Sequence, residues 1–120
     1  MTEYTIAAVA TPLGEGGIGI VRLSGPEALA IADKMFQAKK GETLADLPTY
    51  QLRYGKIIDP KDGRQLDEAL ALVMRGPHSY TAEDVVEFQC HGGVVVVREI
   101  LALAQELDAQ LAEPGEFTKR

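Results

Sequence analysis

The stretch SYTAEDVVEFQCHGG, residues 79–93, constrains the fold more than any other part of the chain. Residues 85–90 alternate, which assigns Val86, Phe88 and Cys90 to one side of a strand and Val85, Glu87 and Gln89 to the other. Glu87 is therefore a carboxylate set mid-strand among apolar neighbours, where an unpaired charge is costly. His91, Gly92 and Gly93 follow at once. Adjacent glycines let the backbone turn sharply and approach another group closely. An apolar run comes next, and strand, glycine turn and helix in that order often build a pocket lined by the turn. The alternative is a half-exposed sheet on which Glu87 faces solvent.

A second strand carries a charge in the same way. Residues 5–10 (TIAAVA) read as a short buried strand, and residues 11–17 as a glycine-rich turn that includes Gly16 and Gly17. Residues 18–24 (IGIVRLS) alternate, with Ile18, Ile20 and Arg22 on one face and Val21 and Leu23 on the other. Residues 14–19 match G-x-G-x-x-G letter for letter. The dinucleotide fingerprint needs those glycines to open a helix, so that the pyrophosphate meets its N-terminus. Here they run into a strand pattern, and Asp33 falls inside the next helix, which argues against a dinucleotide site.

Ser24-Gly25-Pro26-Glu27 predicts a capping box, and Ala28, Ile31, Ala32, Met35 and Phe36 form one apolar helical stripe. Lys39 and Lys40 are expected in its last turn, with Gly41 closing it. After a loop over residues 42–49, residues 50–58 and 66–74 read as strands joined by the Asp59-Pro60-Lys61-Asp62-Gly63 turn. Thr81-Ala82-Glu83-Asp84 resembles a further capping box, suggesting one helical turn. Residues 94–109 are expected to be helical through the stripe Val96, Ile100, Leu103 and Leu107, against the local strand preference of four consecutive valines. Residues 110–112 form a short closing strand, and residues 115–120 read as the start of another helix.

The chain's 120 residues suffice for one domain with a real core. A net charge of −6 argues against the whole surface gripping a phosphate backbone, though not against a local basic patch. No apolar run is long enough to span a bilayer, and the start lacks a basic n-region, so a cytoplasmic protein without membrane association is expected. Cys90 is the only cysteine, which excludes an intrachain disulfide and a thiolate cluster. With only His78 and His91 beside it, no metal site is expected. Neighbouring strand side chains diverge, so Cys90 and His91 do not form a nucleophile and its base. No catalytic residue is assigned.

Three stretches together carry a resemblance: TIAAVATPLGEGGIGIVRLSG (residues 5–25), GPHSYTAEDVVEFQCHGG (76–93) and PGEFTKR (114–120). They resemble the N-terminal domain of the bacterial tRNA-modification GTPases of the MnmE/TrmE family. The resemblance implies an α+β fold, a mixed sheet of about five to six strands with two main helices, similar to a folate-binding half-domain of the aminomethyltransferase type. It implies binding of a tetrahydrofolate derivative, 5-formyl- or 5,10-methylene-tetrahydrofolate, and homodimerisation. Arg22 and Glu87 match the family's folate-binding positions, and Gly16, Gly17, His91, Gly92 and Gly93 are candidate pocket lining. The family modifies C5 of the wobble uridine in tRNA together with the flavoprotein MnmG.

Two positions depart from the family pattern. Glu15 and Glu113 stand where basic residues are usual, which makes the surface there more acidic. The sequence contains no G-x-x-x-x-G-K-[ST] loop, so GTP, Mg and K belong to a GTPase domain outside this chain, and the chain alone is not expected to hydrolyse GTP. The expectation is a single domain over residues 1–120, cut before helical and GTPase domains. A freestanding folate-dependent enzyme of the aminomethyltransferase type and a structural dimerisation domain with a vestigial pocket are the alternatives. Glu87 is taken to be uncompensated in an empty pocket, so its removal is expected to leave folding unharmed.

Overall fold

A computed structural model describes residues 4–10, 19–76, 83–113 and 115–116. Seven strands form one mixed sheet in the order β3-β4-β5-β6-β2-β1-β7. In chain order they are β1 (Ile6–Val9), β2 (Gly19–Ser24), β3 (Phe36–Ala38), β4 (Gln51–Ile58), β5 (Gln65–Met74), β6 (Val85–Cys90) and β7 (Gln110–Leu111). The two helices are α1 (Ala28–Met35) and α2 (Gly93–Glu106). Every strand pair is antiparallel except β1–β7, which is parallel. The expected α+β class is therefore observed, with one strand more than the upper expectation.

The core lies between the sheet and the helices. Val21 and Leu23, Val86, Phe88 and Cys90, and Ala69, Ala71 and Val73 all turn to one face and pack with Ile31, Met35, Val97 and Ile100. The period-2 patterning of β2 and β6 separated the two faces as the structure does. Among the described residues, the opposite face carries no helix. At one end it is buried by a cross-strand row of Ile6, Ser24, Val85 and Met74, and it opens progressively beyond that row.

Several local expectations are corrected. Helix α1 ends at Met35, and Phe36–Ala38 is a strand, so Lys39 and Lys40 lie beyond the helix. The edge of β4 offers unpaired backbone groups that the departing chain satisfies, as in Lys39 N–H donating to the Tyr54 carbonyl at 2.9 Å. The capping box at Ser24 does not form. Ser24 Oγ donates to Glu83 instead, and the Glu27 N–H finds Thr5 Oγ1 at 2.8 Å, a cap supplied by a residue distant in sequence. Asp33, in α1, accepts from the N–H groups of Leu44 and Ala45 and anchors a 3-10 helix at Leu44–Asp46, inside what sequence reads as loop.

Helix α2 stops at Glu106, three residues short of expectation. Asp108 takes a φ of +83°, and Ala109 N–H reaches back to the Ala104 carbonyl at 3.0 Å. This is a Schellman closure with Asp at the position glycine usually holds. Its buried stripe is Val97, Ile100, Leu103 and Ala104, turned slightly from the predicted one, with Val96 and Leu107 partly buried at its border. The valine run is helical because these side chains fill the space over β1, β2 and β5. Tertiary packing outweighs local strand preference here. The Asp59–Gly63 turn forms as expected, with Gly63 at a φ of +75°. The capping-box residues Thr81 and Ala82 lie outside the described residues.

Candidate functional site

Antiparallel pairing of β2 with β6 sets Arg22 directly opposite Glu87. Arg22 Nε donates to Glu87 Oε1 at 2.6 Å, and Nη2 reaches the same oxygen. The side chains are 20% and 10% exposed. The two charged mid-strand residues are thus one ion pair, and the sheet register brings them together. Glu87 is neither uncompensated nor set on a half-exposed surface, which corrects both sequence expectations about its surroundings.

The pair leaves one group available. Both of the guanidinium's contacts to Glu87 converge on Oε1, and Oε2 accepts no hydrogen bond among the described residues. Glu42 Oε1 is the only fully buried side-chain polar atom without a partner among them, so Oε2 of Glu87 retains contact with solvent. On the same face, Ala8 adjoins Arg22, and Leu72 adjoins Glu87. Leu52 lies beyond Leu72 and is 48% exposed. A carboxylate oxygen with free lone pairs, a fixed cation and an apolar margin suit a flat ligand that carries N–H donors on one edge.

The His91-Gly92-Gly93 turn begins four residues past Glu87, about 13 Å along the strand, and makes no contact with the ion pair. Its geometry is set by Asp67 at the start of β5, which sequence reasoning missed. Asp67 Oδ2 accepts from His91 N–H at 2.7 Å and from Gly92 N–H at 3.1 Å. The His91 ring turns to the Glu68 carbonyl at 3.3 Å from Nδ1. A Cβ on Gly92 would lie 2.7 Å from Val96, so glycine is required there by the close approach of α2. Gly16 and Gly17 lie outside the described residues. Asp67→Ala is expected to cost about 1–2 kcal/mol, because two exposed amides lose a charged acceptor but regain water. Urea denaturation measures the cost, and faster amide exchange confined to His91 and Gly92 locates it.

Residues 5–120 match the family described as GTP-binding protein TrmE N-terminus. The chain belongs to this family. It is 56% identical over 120 residues to the tRNA modification GTPase MnmE of Carboxydothermus hydrogenoformans, covering all of this chain and 26% of that protein. It is 55% identical to the protein of the same name from Geobacillus thermodenitrificans over 121 residues, with the same coverage. With MnmE of Bacillus subtilis it shares 52% identity over 116 residues, 97% of this chain and 25% of the relative. The chain therefore spans about a quarter of the length of these TrmE relatives.

Cys90, within this TrmE domain, is fully buried on the helix side of β6. Loss of water around it, and secondarily the Asp67 charge, push its thiol up to about 12. At pH 8.5 the folded chain holds roughly a thousandfold less thiolate than an unfolded one. Disulfide reagents are expected to label Cys90 only as fast as the chain opens, and rapid labelling at pH 8.5 without denaturant would contradict this burial. The sign for stability follows. The raised thiol favours the folded state fully below the unfolded value near 9. That contribution declines as pH rises from there toward 12.

Proposed function

We propose that this chain binds a tetrahydrofolate one-carbon donor at Arg22 and Glu87 and forms a homodimer. It does so as the N-terminal part of a tRNA-modification GTPase that acts at C5 of the wobble uridine. The observation carrying the reading is the Arg22–Glu87 pair, nearly buried on a helix-free sheet face with one carboxylate oxygen available. Membership of the TrmE family and the printed names of its relatives support the wider role.

The residues fit the ligand class. Glu87 Oε2 can accept from the adjacent ring N–H and exocyclic amine of a pterin edge, and Arg22 holds the carboxylate in place while it does so. Leu72 and Ala8 supply apolar contact beside the ring. When bound, 5,10-methylene-tetrahydrofolate would supply the one-carbon unit. GTP hydrolysis, with Mg and K, and contact with the flavoprotein MnmG belong to the longer protein, in helical and GTPase domains that follow this one. No helix among the described residues is long and apolar enough to cross a membrane.

The test is calorimetric titration of the chain with 5-formyl-tetrahydrofolate, with sedimentation in parallel. Saturable binding and a dimer mass are expected, the dimer burying about 1,200–2,000 Å² or more. A well-folded monomer with no folate heat would remove the reading.

A further inference from the structure

Two clefts of about 420 Å³ each open side by side where β3 meets β4, away from Arg22 and Glu87. Lys39 and Tyr54 line both, so the two form one continuous groove. Lys56 borders the first cleft and Lys40 the second. None of these three lysine side chains forms a hydrogen bond or ion pair among the described residues. Two carboxylates share the groove: Glu42 accepts from Arg53 through one oxygen at 2.7 Å, and Glu68 accepts from the Tyr54 hydroxyl at 2.8 Å. With Arg53 the cations outnumber them, which leaves a cationic strip on a chain whose net charge is −6. An external anion relieves the repulsion among the surplus cations.

The groove is also shaped for more than an ion. Tyr54 is 44% exposed, and its bond to Glu68 anchors the tip of the ring. An anchored, exposed aromatic ring beside cations is the arrangement on which nucleobases stack while their phosphates are neutralised. Gly55 brings the strands together beneath it, since a Cβ there would lie 2.2 Å from the Gln37 carbonyl. The floor is therefore backbone held in a sheet rather than a loop.

We propose that this groove binds a phosphodiester segment of RNA, with Lys39, Lys40 and Lys56 at the phosphates and Tyr54 stacked on a base. The inference rests on the reading above that the chain serves a tRNA-modifying protein, and names where this domain touches its RNA. Inorganic polyphosphate shares the phosphate chemistry, whereas the flat ring and the extended groove favour a nucleic acid. An acidic peptide would use the lysines and leave Tyr54 idle.

Fluorescence anisotropy of labelled tRNA, titrated with this chain at several salt concentrations, tests the proposal. Lys39→Ala/Lys56→Ala is expected to weaken binding at least about tenfold and to lower the slope of log affinity against log salt by about 2. Tyr54→Leu is expected to weaken binding about five- to fiftyfold with the slope unchanged. Lys34→Ala, on α1 at the other side of the sheet, serves as the charge control and should change affinity less than about twofold. Thermal melts establish that each variant is folded, and folate titration of the same variants should be unaltered. No tRNA binding by the parent chain at about 50 mM salt, or equal losses for the groove and control variants, would overturn the proposal. So would displacement of tRNA by tripolyphosphate or polyglutamate at equal charge, coupled with indifference to Tyr54. Loss of folate binding in the parent chain would instead sink the folate reading and leave the RNA result to stand on its own.

Discussion

Glu87→Ala is expected to weaken binding of 5-formyl-tetrahydrofolate by about tenfold to several hundredfold, because charge-assisted bonds to the pterin edge are worth roughly 1.5–3 kcal/mol each. The same change is expected to lower the stability of the folded chain by about 1–3 kcal/mol. It removes the carboxylate beside the Arg22 guanidinium, whose side chain is only 20% exposed. Glu87→Gln keeps an acceptor for Arg22 and so should fold better, yet should also fail to bind, since its amide offers one acceptor and one donor. Arg22→Ala should cost more stability than Glu87→Ala, because the stranded carboxylate is the more deeply buried partner at 10% exposure. Replacing both partners, as in Arg22→Met/Glu87→Leu, should restore stability without restoring affinity. That double variant separates ligand recognition from folding. Unchanged folate affinity in a folded Glu87→Ala chain would show that the pterin is read elsewhere, and that the ion pair serves only the sheet.

Phe88→Ala is expected to cost about 3–5 kcal/mol, a large part of the roughly 5–15 kcal/mol that holds a domain of this kind together. Phe88 is fully buried on β6. In the sheet register it lies between Val21 on β2 and Ala71 on β5. The small Ala71 leaves room for its ring, which meets Phe36 at a centroid distance of 5.7 Å with the planes 30° apart. Phe36 is also the residue at which the chain leaves α1 for β3. Truncating Phe88 therefore opens a cavity at the joint between sheet centre and edge, with little freedom to collapse. Urea unfolding followed by circular dichroism should show a lower midpoint at unchanged slope. A loss below about 1.5 kcal/mol would mean that the surrounding chains close the space.

Much of the fold was legible because burial on one face imposes a period of two. The alternation of residues 85–90 set Phe88 and Cys90 on one face and Glu87 on the other, and the structure turns the first face to the helices. Residues 18–24 read as a strand in spite of the glycines before them, and Gly19–Ser24 is one. The family, too, was legible in three stretches of sequence, and its match covers residues 5–120.

Local features could be read along the chain: which segments alternate, where turns fall, and that Arg22 and Glu87 are charges placed mid-strand. How those pieces meet could not, because register, capping and helix length depend on groups far away in the chain. Thr5 rather than Ser24 caps α1, since a strand brings its hydroxyl to the Glu27 amide. Lys39 and Lys40 leave a predicted helix end to border a groove, since the edge of β4 supplies better partners for the backbone than another helical turn. Arg22 and Glu87 become a single ion pair because β2 and β6, with sixty residues of chain between them, pair in the one register that sets them opposite. A pattern along the chain reports which face a side chain takes. It carries no record of the residue across the gap, and the chemistry of the site is set there.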